Sequence, residues 1–113
     1  MPLLCLLLAT AVVINEVHYD PPGADGGAEF VELLNPGAGP VSLAGWRLEF
    51  ANGADGTVWR VRWQGAASDT LAAGARFLIV DRGWEGPPPA AEVRLDLQNG
   101  PDAVRLVAPD GRR

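Results

Sequence analysis

The residues of this chain that could perform chemistry are few, and their number argues against catalysis. Its 113 residues include one histidine, His18, one cysteine, Cys5, and two serines, Ser42 and Ser68. Nucleophilic catalysis needs a nucleophile, a base and a group that orients the base, and neither serine lies in a nucleophile-elbow sequence. A structural zinc site normally needs four Cys or His ligands, and an internal disulfide needs two cysteines. We therefore predict a chain that is not an enzyme and holds no cofactor.

Acidic residues gather around one glycine-rich loop. Asp20, Asp25 and Glu29 flank this loop, and Ca²⁺ takes several oxygen ligands from flexible loops. Their spacing does not follow the EF-hand pattern, so we interpret the loop as a solvated acidic segment, with calcium binding as the alternative. Glu29 and Glu32 could suggest a carboxylate pair. Residues three apart in a strand point to opposite faces, which argues against a glycosidase-type dyad.

Trp84 is the aromatic residue whose setting favours a binding role. It lies in a rigid Gly- and Pro-rich loop, GWEGPPPAA, beside the charged residues Asp81, Arg82 and Glu85. Loops of this kind carry function, and exposed aromatic side chains are frequent anchors for ligands. The alternative is that Trp84 packs over the end of the fold. We predict candidate binding residues at Trp84, Asp20, Asp25 and Glu29.

The charge distribution argues against nucleic acid as a partner. The formal net charge is −5, and all nine basic residues are arginines. Only Arg60 with Arg62, and Arg112 with Arg113, form tight pairs. Binding to phosphate backbones needs clustered cations, so we interpret these pairs as solvated strand edges.

The elements that must position these side chains are short strands. The chain has 14 Gly and 10 Pro in turn-like places between short β-rich runs. Trp59, Val61 and Trp63 alternate with arginines and are predicted to share one face, with Trp59 and Trp63 in the core beside Trp46. One helical turn is expected near Leu71. The runs cover residues 12–17, 30–35, 41–43, 46–50, 57–63, 76–81, 92–97 and 103–107.

The last two runs flank a turn-like QNGPD segment and are predicted to form a hairpin. A further turn, APDG, follows the final run and should return the chain into a partner strand. Only Arg112 and Arg113 come after it. We therefore expect the last strand of the fold to be missing from this chain, and the run 103–107 to present an unpaired edge.

Seven motifs follow one another along the chain: VINEV (13–17), EFVEL (29–33), NPG (35–37), VSLAGWRL (41–48), LAAG (71–74), FLIV (77–80) and LQNGPDAVRL (97–106). In their order and spacing these motifs resemble bacterial lamin tail domains. The resemblance covers residues 12–111 and implies an all-β, immunoglobulin-like sandwich of two antiparallel sheets, without enzymatic activity. It also implies a module often found in exported proteins, sometimes beside nuclease, phosphatase or other hydrolase domains.

The first residues are predicted to direct export. Residues 1–13, MPLLCLLLATAVV, are too short for a transmembrane helix but have the apolar core of a signal peptide. Ala9-Thr10-Ala11 supplies an Ala-x-Ala site, although no Lys or Arg precedes the core. A buried first strand is the alternative. The domain division is therefore a signal segment at 1–11 and a sandwich at 12–113.

Together these features predict a non-catalytic binding or structural module of the cell envelope or extracellular space. Its partner would be another protein or an envelope or extracellular polymer, without a transmembrane span. The alternative is an N-terminal accessory domain of a longer secreted hydrolase, whose catalytic part lies outside these residues.

Export makes a direct prediction about the mature N-terminus. If signal peptidase cleaves after Ala11, protein recovered from the medium or envelope begins at Val12, which N-terminal sequencing or intact mass would show. A chain that retains Met1 in the cytoplasmic fraction would contradict the export prediction.

Overall fold

The computed structural model describes residues 12–18, 29–51, 58–95 and 103–113. The predicted signal segment 1–11 and the candidate residues Asp20 and Asp25 lie outside the described residues. In the described ranges, no helix is long and apolar enough to cross a membrane.

The described residues form strands and turns, as the short β-branched and aromatic runs predict. Two strands, 76–81 and 103–107, have the bounds expected from the sequence, and the others shift by one to a few residues at their ends. The strands are β1 (Val13–His18), β2 (Phe30–Leu34), β3 (Val41–Ser42), β4 (Arg47–Ala51), β5 (Trp59–Gln64), β6 (Thr70–Leu71), β7 (Arg76–Asp81), β8 (Ala91–Val93) and β9 (Ala103–Val107).

These strands form two main sheets and one small ladder. The first sheet has the order β1-β2-β7-β8, the second has the order β5-β4-β9, and β3 pairs with β6. All described pairs are antiparallel except β7 and β8, which run parallel. β1 contacts β9 across the two sheets, so these two strands lie on the same side of the molecule.

The core lies between the inner faces of the two sheets. Strand side chains alternate between faces, and in the first sheet Val31 and Leu33 point inward opposite Ile79 and Phe77. Burying one such aliphatic or aromatic side chain contributes roughly 1.5–3 kcal/mol. The buried cluster comprises Val12, Val31, Leu33, Leu43, Trp46, Leu48, Phe50, Trp63, Leu71, Phe77, Ile79, Leu95, Leu106 and Ala108.

A buried amide connects the end of β2 to the β3–β6 ladder. The side chain of Asn35 is fully buried, and its Nδ2 donates to the carbonyls of Gly39 (2.8 Å) and Leu71 (2.9 Å). Its Oδ1 accepts from the Gly37 amide at 3.0 Å, which stabilises a turn after β2. Because its donors and its acceptor are paired, burial of this amide carries no unsatisfied polar group.

Two predictions of local structure are wrong. The run 92–97 does not form a hairpin with 103–107 in its described part, because β8 pairs with β7 in one sheet and β9 pairs with β4 in the other. The helical turn expected near Leu71 is also absent, since Leu71 belongs to β6 and pairs with Val41. In both cases the outcome depends on a strand that is distant in sequence. β8 and β9 each pair with a different strand, and Leu71 is extended because it pairs with Val41.

A bulge in β5 changes which of its side chains face the core. Leu48 pairs with Trp63 but Glu49 pairs with Val61, so Arg62 is the extra residue. Trp63 is consequently buried, whereas Val61 is 50 % exposed. The prediction that Trp59, Val61 and Trp63 share one core face is therefore wrong, because the bulge breaks the period of two.

Trp59 lies instead in a polar cluster on the outer face of the second sheet. The Arg105 guanidinium lies 3.9 Å from the centroid of a Trp59 ring, within the range of a cation–π contact. Arg105 also binds Oε1 of Glu49 at 2.8 Å, and Arg47 binds Oε2 of Glu49 at 3.1 Å. Glu49 is only 6 % exposed, so its charge is buried between two cations. Three strands are thus joined on this face by side-chain contacts.

The protonation of Glu49 follows from this setting. Burial raises the pKa of the Glu49 carboxyl, but the hydrogen bonds and charges of Arg47 and Arg105 together outweigh burial and hold the pKa below its usual range. A carboxyl with a lowered folded-state pKa stabilises the fold fully above its unfolded-state pKa. That contribution is lost as the pH falls through the folded-state pKa.

We therefore predict that Glu49→Gln lowers the free energy of unfolding by roughly 1–3 kcal/mol at pH 7, because two charge-assisted hydrogen bonds are lost. The deficit should shrink as the pH falls below the ordinary glutamate value of 4.5. Urea denaturation at several pH values measures both effects. Glu92→Gln, at an exposed position of β8, is the matched control and should change little. A deficit that does not vary with pH would contradict this account.

Candidate binding site

The candidate site lies where β1 ends and β2 begins. His18 closes β1, Phe30 opens β2, and the two residues are direct partners across the pair. Glu29 immediately precedes Phe30, so the described ends of the acidic loop meet at this point. Since Val31 and Leu33 point into the core, Phe30 points to the outer face of the first sheet.

Three rings meet on this outer face, and we call them the aromatic cluster: His18, Phe30 and Trp84. The His18 and Phe30 ring centroids are 5.4 Å apart with planes tilted by 47°. Phe30 and Trp84 are 5.7 Å apart in an edge-to-face arrangement at 80°. These distances fall in the favourable range for aromatic pairs, each worth about 0.5–1.5 kcal/mol beyond area burial. Val80, the other cross-strand partner of Phe30, is fully buried.

The loop after β7 holds the Trp84 indole in place. Trp84 Nε1 donates to the Pro87 carbonyl at 2.8 Å, and the loop returns to the sheet where the Ala90 amide donates to the Leu78 carbonyl at 2.9 Å. A Cβ atom on Gly86 would lie 2.5 Å from Cζ2 of Trp84, so Gly86 packs closely on the indole. Trp84 is half-buried, and its orientation is therefore set before any ligand arrives.

Glu29 lies beside the cluster but is largely withdrawn from solvent. It is 6 % exposed, and its backbone carbonyl accepts from the Asp81 amide at 3.0 Å. The Asp81 carboxylate in turn accepts from the Leu95 amide at 2.9 Å. Within the part of the chain that the structure describes, no group of three or more His, Cys, Asp and Glu side chains is arranged to hold a metal ion.

The structure thus brings two of the four sequence-predicted site residues, Trp84 and Glu29, to the same corner of the first sheet. Asp20 and Asp25 fall in 19–28, outside the described residues, and calcium binding there stays a prediction. His18 and Phe30 were not identified as site residues from the sequence. The alternation of FVELL could have assigned Phe30 to the outer face, since Val31 and Leu33 are the core pair.

The arrangement suits binding by contact and stacking. Two apolar rings form the surface, and the Nδ1 atom of His18 is buried without a hydrogen-bond partner among the described residues. Rigid aromatic side chains lose little entropy on binding, and a few polar atoms beside them provide orientation. The geometry therefore fits the recognition of an apolar or amphipathic surface.

A shallow groove lies at the other end of β1. It encloses about 160 Å³ and is lined by Val12, Trp46, Leu106, Ala108, Arg112 and Arg113. β1 separates Val12 from His18 by six residues, roughly 20 Å of extended chain. The groove and the aromatic cluster are therefore distinct surfaces. Arg112 is already paired with Asp110, Nε to Oδ2, at 2.7 Å.

Comparison with known proteins identifies the family. A family model described as Lamin Tail Domain matches residues 9–113, nearly the whole chain. Lamin tail domains are non-enzymatic, immunoglobulin-like modules, so the match confirms the resemblance and the fold class predicted from the sequence. A search of curated proteins gave no match.

We predict that Gly86→Ala displaces the Trp84 indole, because the added methyl group cannot share its space with the ring. The expected cost is roughly 1–2 kcal/mol of unfolding free energy, with a shift in tryptophan fluorescence. Gly39→Ala is the matched control, since a Cβ atom there meets nothing within 4 Å. Equal melting temperatures for the two variants would contradict the packing described here.

Proposed function

Because the chain belongs to the lamin tail domain family, we propose that it is an exported, non-catalytic module that binds another protein or a polymer of the envelope or extracellular space. The observation that carries this proposal is the aromatic cluster. Phe30 and Trp84 place apolar rings on the outer face of a sheet whose inner face already forms the core.

The way in which Trp84 is held supports a binding role. A ring that is fixed by its Nε1 bond to Pro87 and by contact with Gly86 needs no ordering when a partner docks. The cluster also lies where β1 ends and β2 begins, beside the loop 82–90 that follows β7. Loops positioned by a rigid scaffold are where binding residues concentrate.

The net negative charge of the chain limits the chemical classes of partner that it can bind. A net charge of −5 disfavours a phosphate backbone, which needs clustered cations. The described surface around the cluster includes Glu16, Glu32 and Asp81 from the same sheet. A neutral polymer or a protein surface with apolar and basic groups fits this setting best.

We expect Trp84→Ala to weaken binding at least tenfold, because removing a central aromatic anchor typically costs more than about 1–2 kcal/mol. The assay is co-sedimentation and pull-down of the purified chain with an envelope preparation and with secreted polymer and protein fractions from the source organism. Circular dichroism checks that the variant is folded.

Trp84→Phe is the matched variant and should retain most of the binding, since it keeps an apolar ring beside Phe30. Trp59→Phe, on the outer face of the other sheet, should leave binding unchanged. If the wild-type chain binds none of these fractions, or if all three variants bind equally, the proposed role of the aromatic cluster fails.

The alternative is that the chain is the N-terminal accessory domain of a longer secreted hydrolase, nuclease-like or phosphatase-like. Family members that accompany hydrolase domains motivate this reading. The intact mass of the protein isolated from its natural source distinguishes the two, since a catalytic domain would add many kilodaltons to the 11.9 kDa chain.

A further inference from the structure

Among the described residues, the exposed large apolar side chains lie on two edge strands, β1 and β5, and at the position just before β5. Val13 and Val17 belong to β1, Val61 belongs to β5, and Val58 immediately precedes β5, all between 37 and 50 % exposed. β1 ends the order β1-β2-β7-β8, and β5 ends the order β5-β4-β9. Among the described strands, each therefore has a neighbour on one side only. Exposed edges with apolar side chains are templates for pairing with another chain.

These two edges lie on opposite sides of the sandwich. β1 contacts β9, and β9 is the strand at the far end of its sheet from β5. A contact between β1 of one molecule and β5 of another would therefore leave the other edge of each molecule open. Such a contact is heterologous and does not close at a dimer.

The edge of β1 carries an acidic residue without a cation. Glu16 pairs across the strands with Glu32, and like charges directly opposite are destabilising. Glu32 has its own partners, Arg76 at 3.5 Å and the Asn15 amide at 2.8 Å. Across the described ranges, Glu16 takes part in no ion pair. A cation on the open side of β1 would relieve this repulsion.

The edge of β5 has the opposite charge. Its sequence, WRVRWQ, contains Arg60 and Arg62 and no acidic residue. Arg60 is exposed and neighbours the exposed Val61. Two β5 edges facing each other would bring arginines together, which disfavours a symmetric β5 pair. Charge complementarity between edges instead favours the acidic edge of β1.

We propose that β5 of one molecule docks against β1 of a second copy of this chain, giving head-to-tail association through complementary sheet edges. The basic β5 edge meets Glu16, and the exposed valines of the two edges cover one another. The docked run of β1 ends at His18, so this surface adjoins the aromatic cluster. The two proposals are tested at different residues, the edge contact at Glu16 and Arg60 and the aromatic cluster at Trp84.

The contact is short, which sets its expected strength. The bulge between Ile14 and Glu16 interrupts β1, so its regular run on that side is 16–18. Pairing over so few residues falls at the small end of specific interfaces. Association should therefore be weak and depend on protein concentration and salt.

The first measurement is sedimentation velocity of the wild-type chain from about 10 µM to about 1 mM, which brackets weak interfaces. We expect the weight-average mass to rise steadily with concentration, without a plateau at the dimer, and to fall at high salt. A wild-type chain that remains monomeric throughout overturns the proposal, and so does a mass that saturates at a dimer.

Single charge reversals then test the pairing of the two edges. Glu16→Arg and Arg60→Glu should each shift the association constant at least tenfold toward monomer. Glu16→Arg also removes the repulsion with Glu32, so it should not destabilise the fold, and circular dichroism checks that both variants are folded. Ala72→Arg also introduces an arginine, although it changes the net charge by one unit where Glu16→Arg changes it by two. It lies at an exposed turn away from both edges and should associate more strongly than Glu16→Arg.

An equimolar mixture of the two single variants distinguishes head-to-tail association from a symmetric contact. The Glu16→Arg chain keeps a native β5 and the Arg60→Glu chain keeps a native β1, so these two edges can pair. The two reversed edges also carry opposite charges, so the mixture should regain the open-ended association that each variant alone has lost. A symmetric contact through β1 alone or β5 alone would leave one single variant fully associated. Either that result or a mixture of monomers overturns the head-to-tail arrangement.

Discussion

Burial of one face of β2 is the constraint on which both described surfaces of the first sheet depend. Val31 and Leu33 are fully buried opposite Ile79 and Phe77, and a register slip of one residue would move both out of the core. The same alternation places Phe30 and Glu32 on the outer face. Phe30 then packs edge to face with Trp84, and Glu32 lies opposite Glu16. The aromatic cluster and the acidic edge are consequences of core packing.

The carboxylates of the second sheet are fully paired with arginines, whereas those of the first sheet are only partly paired. In the second sheet, Glu49 is enclosed by Arg47 and Arg105, and Arg105 is covered in turn by Trp59. Removing one member of such a cluster leaves a buried charge uncompensated. In the first sheet, Glu16 and Glu32 face each other across an edge pair, and only Glu32 has described partners. The charge of Glu49 is therefore compensated within the chain. The Glu16–Glu32 pair would instead be stabilised by a further cation.

Strand positions could be predicted from the sequence because they depend on short apolar runs between turn residues, as in RFLIVD. Pairing partners could not be predicted equally well. The QNGPD segment suggests a hairpin, yet β8 and β9 belong to different sheets. The core position of Trp63 was predictable, but the bulge at Arg62 reversed the expected side of Val61. At the candidate site, Trp84 could be identified by its rigid loop, whereas its contact with Phe30 depends on a crossover between parallel strands.

The pairing of β4 with β9 joins distant parts of the chain. Glu49 and Arg105 are 56 positions apart, and their bond lies in the only strand pair that connects β9 to its sheet in the described residues. Pairing over such separations pays the entropy of closing a long loop before any contact forms, and it slows folding. During synthesis, β4 and β5 emerge well before β9, so the second sheet spends that interval as a two-stranded ribbon. A two-stranded ribbon is marginally stable in water, and the second sheet therefore completes its core late, only after β9 has emerged.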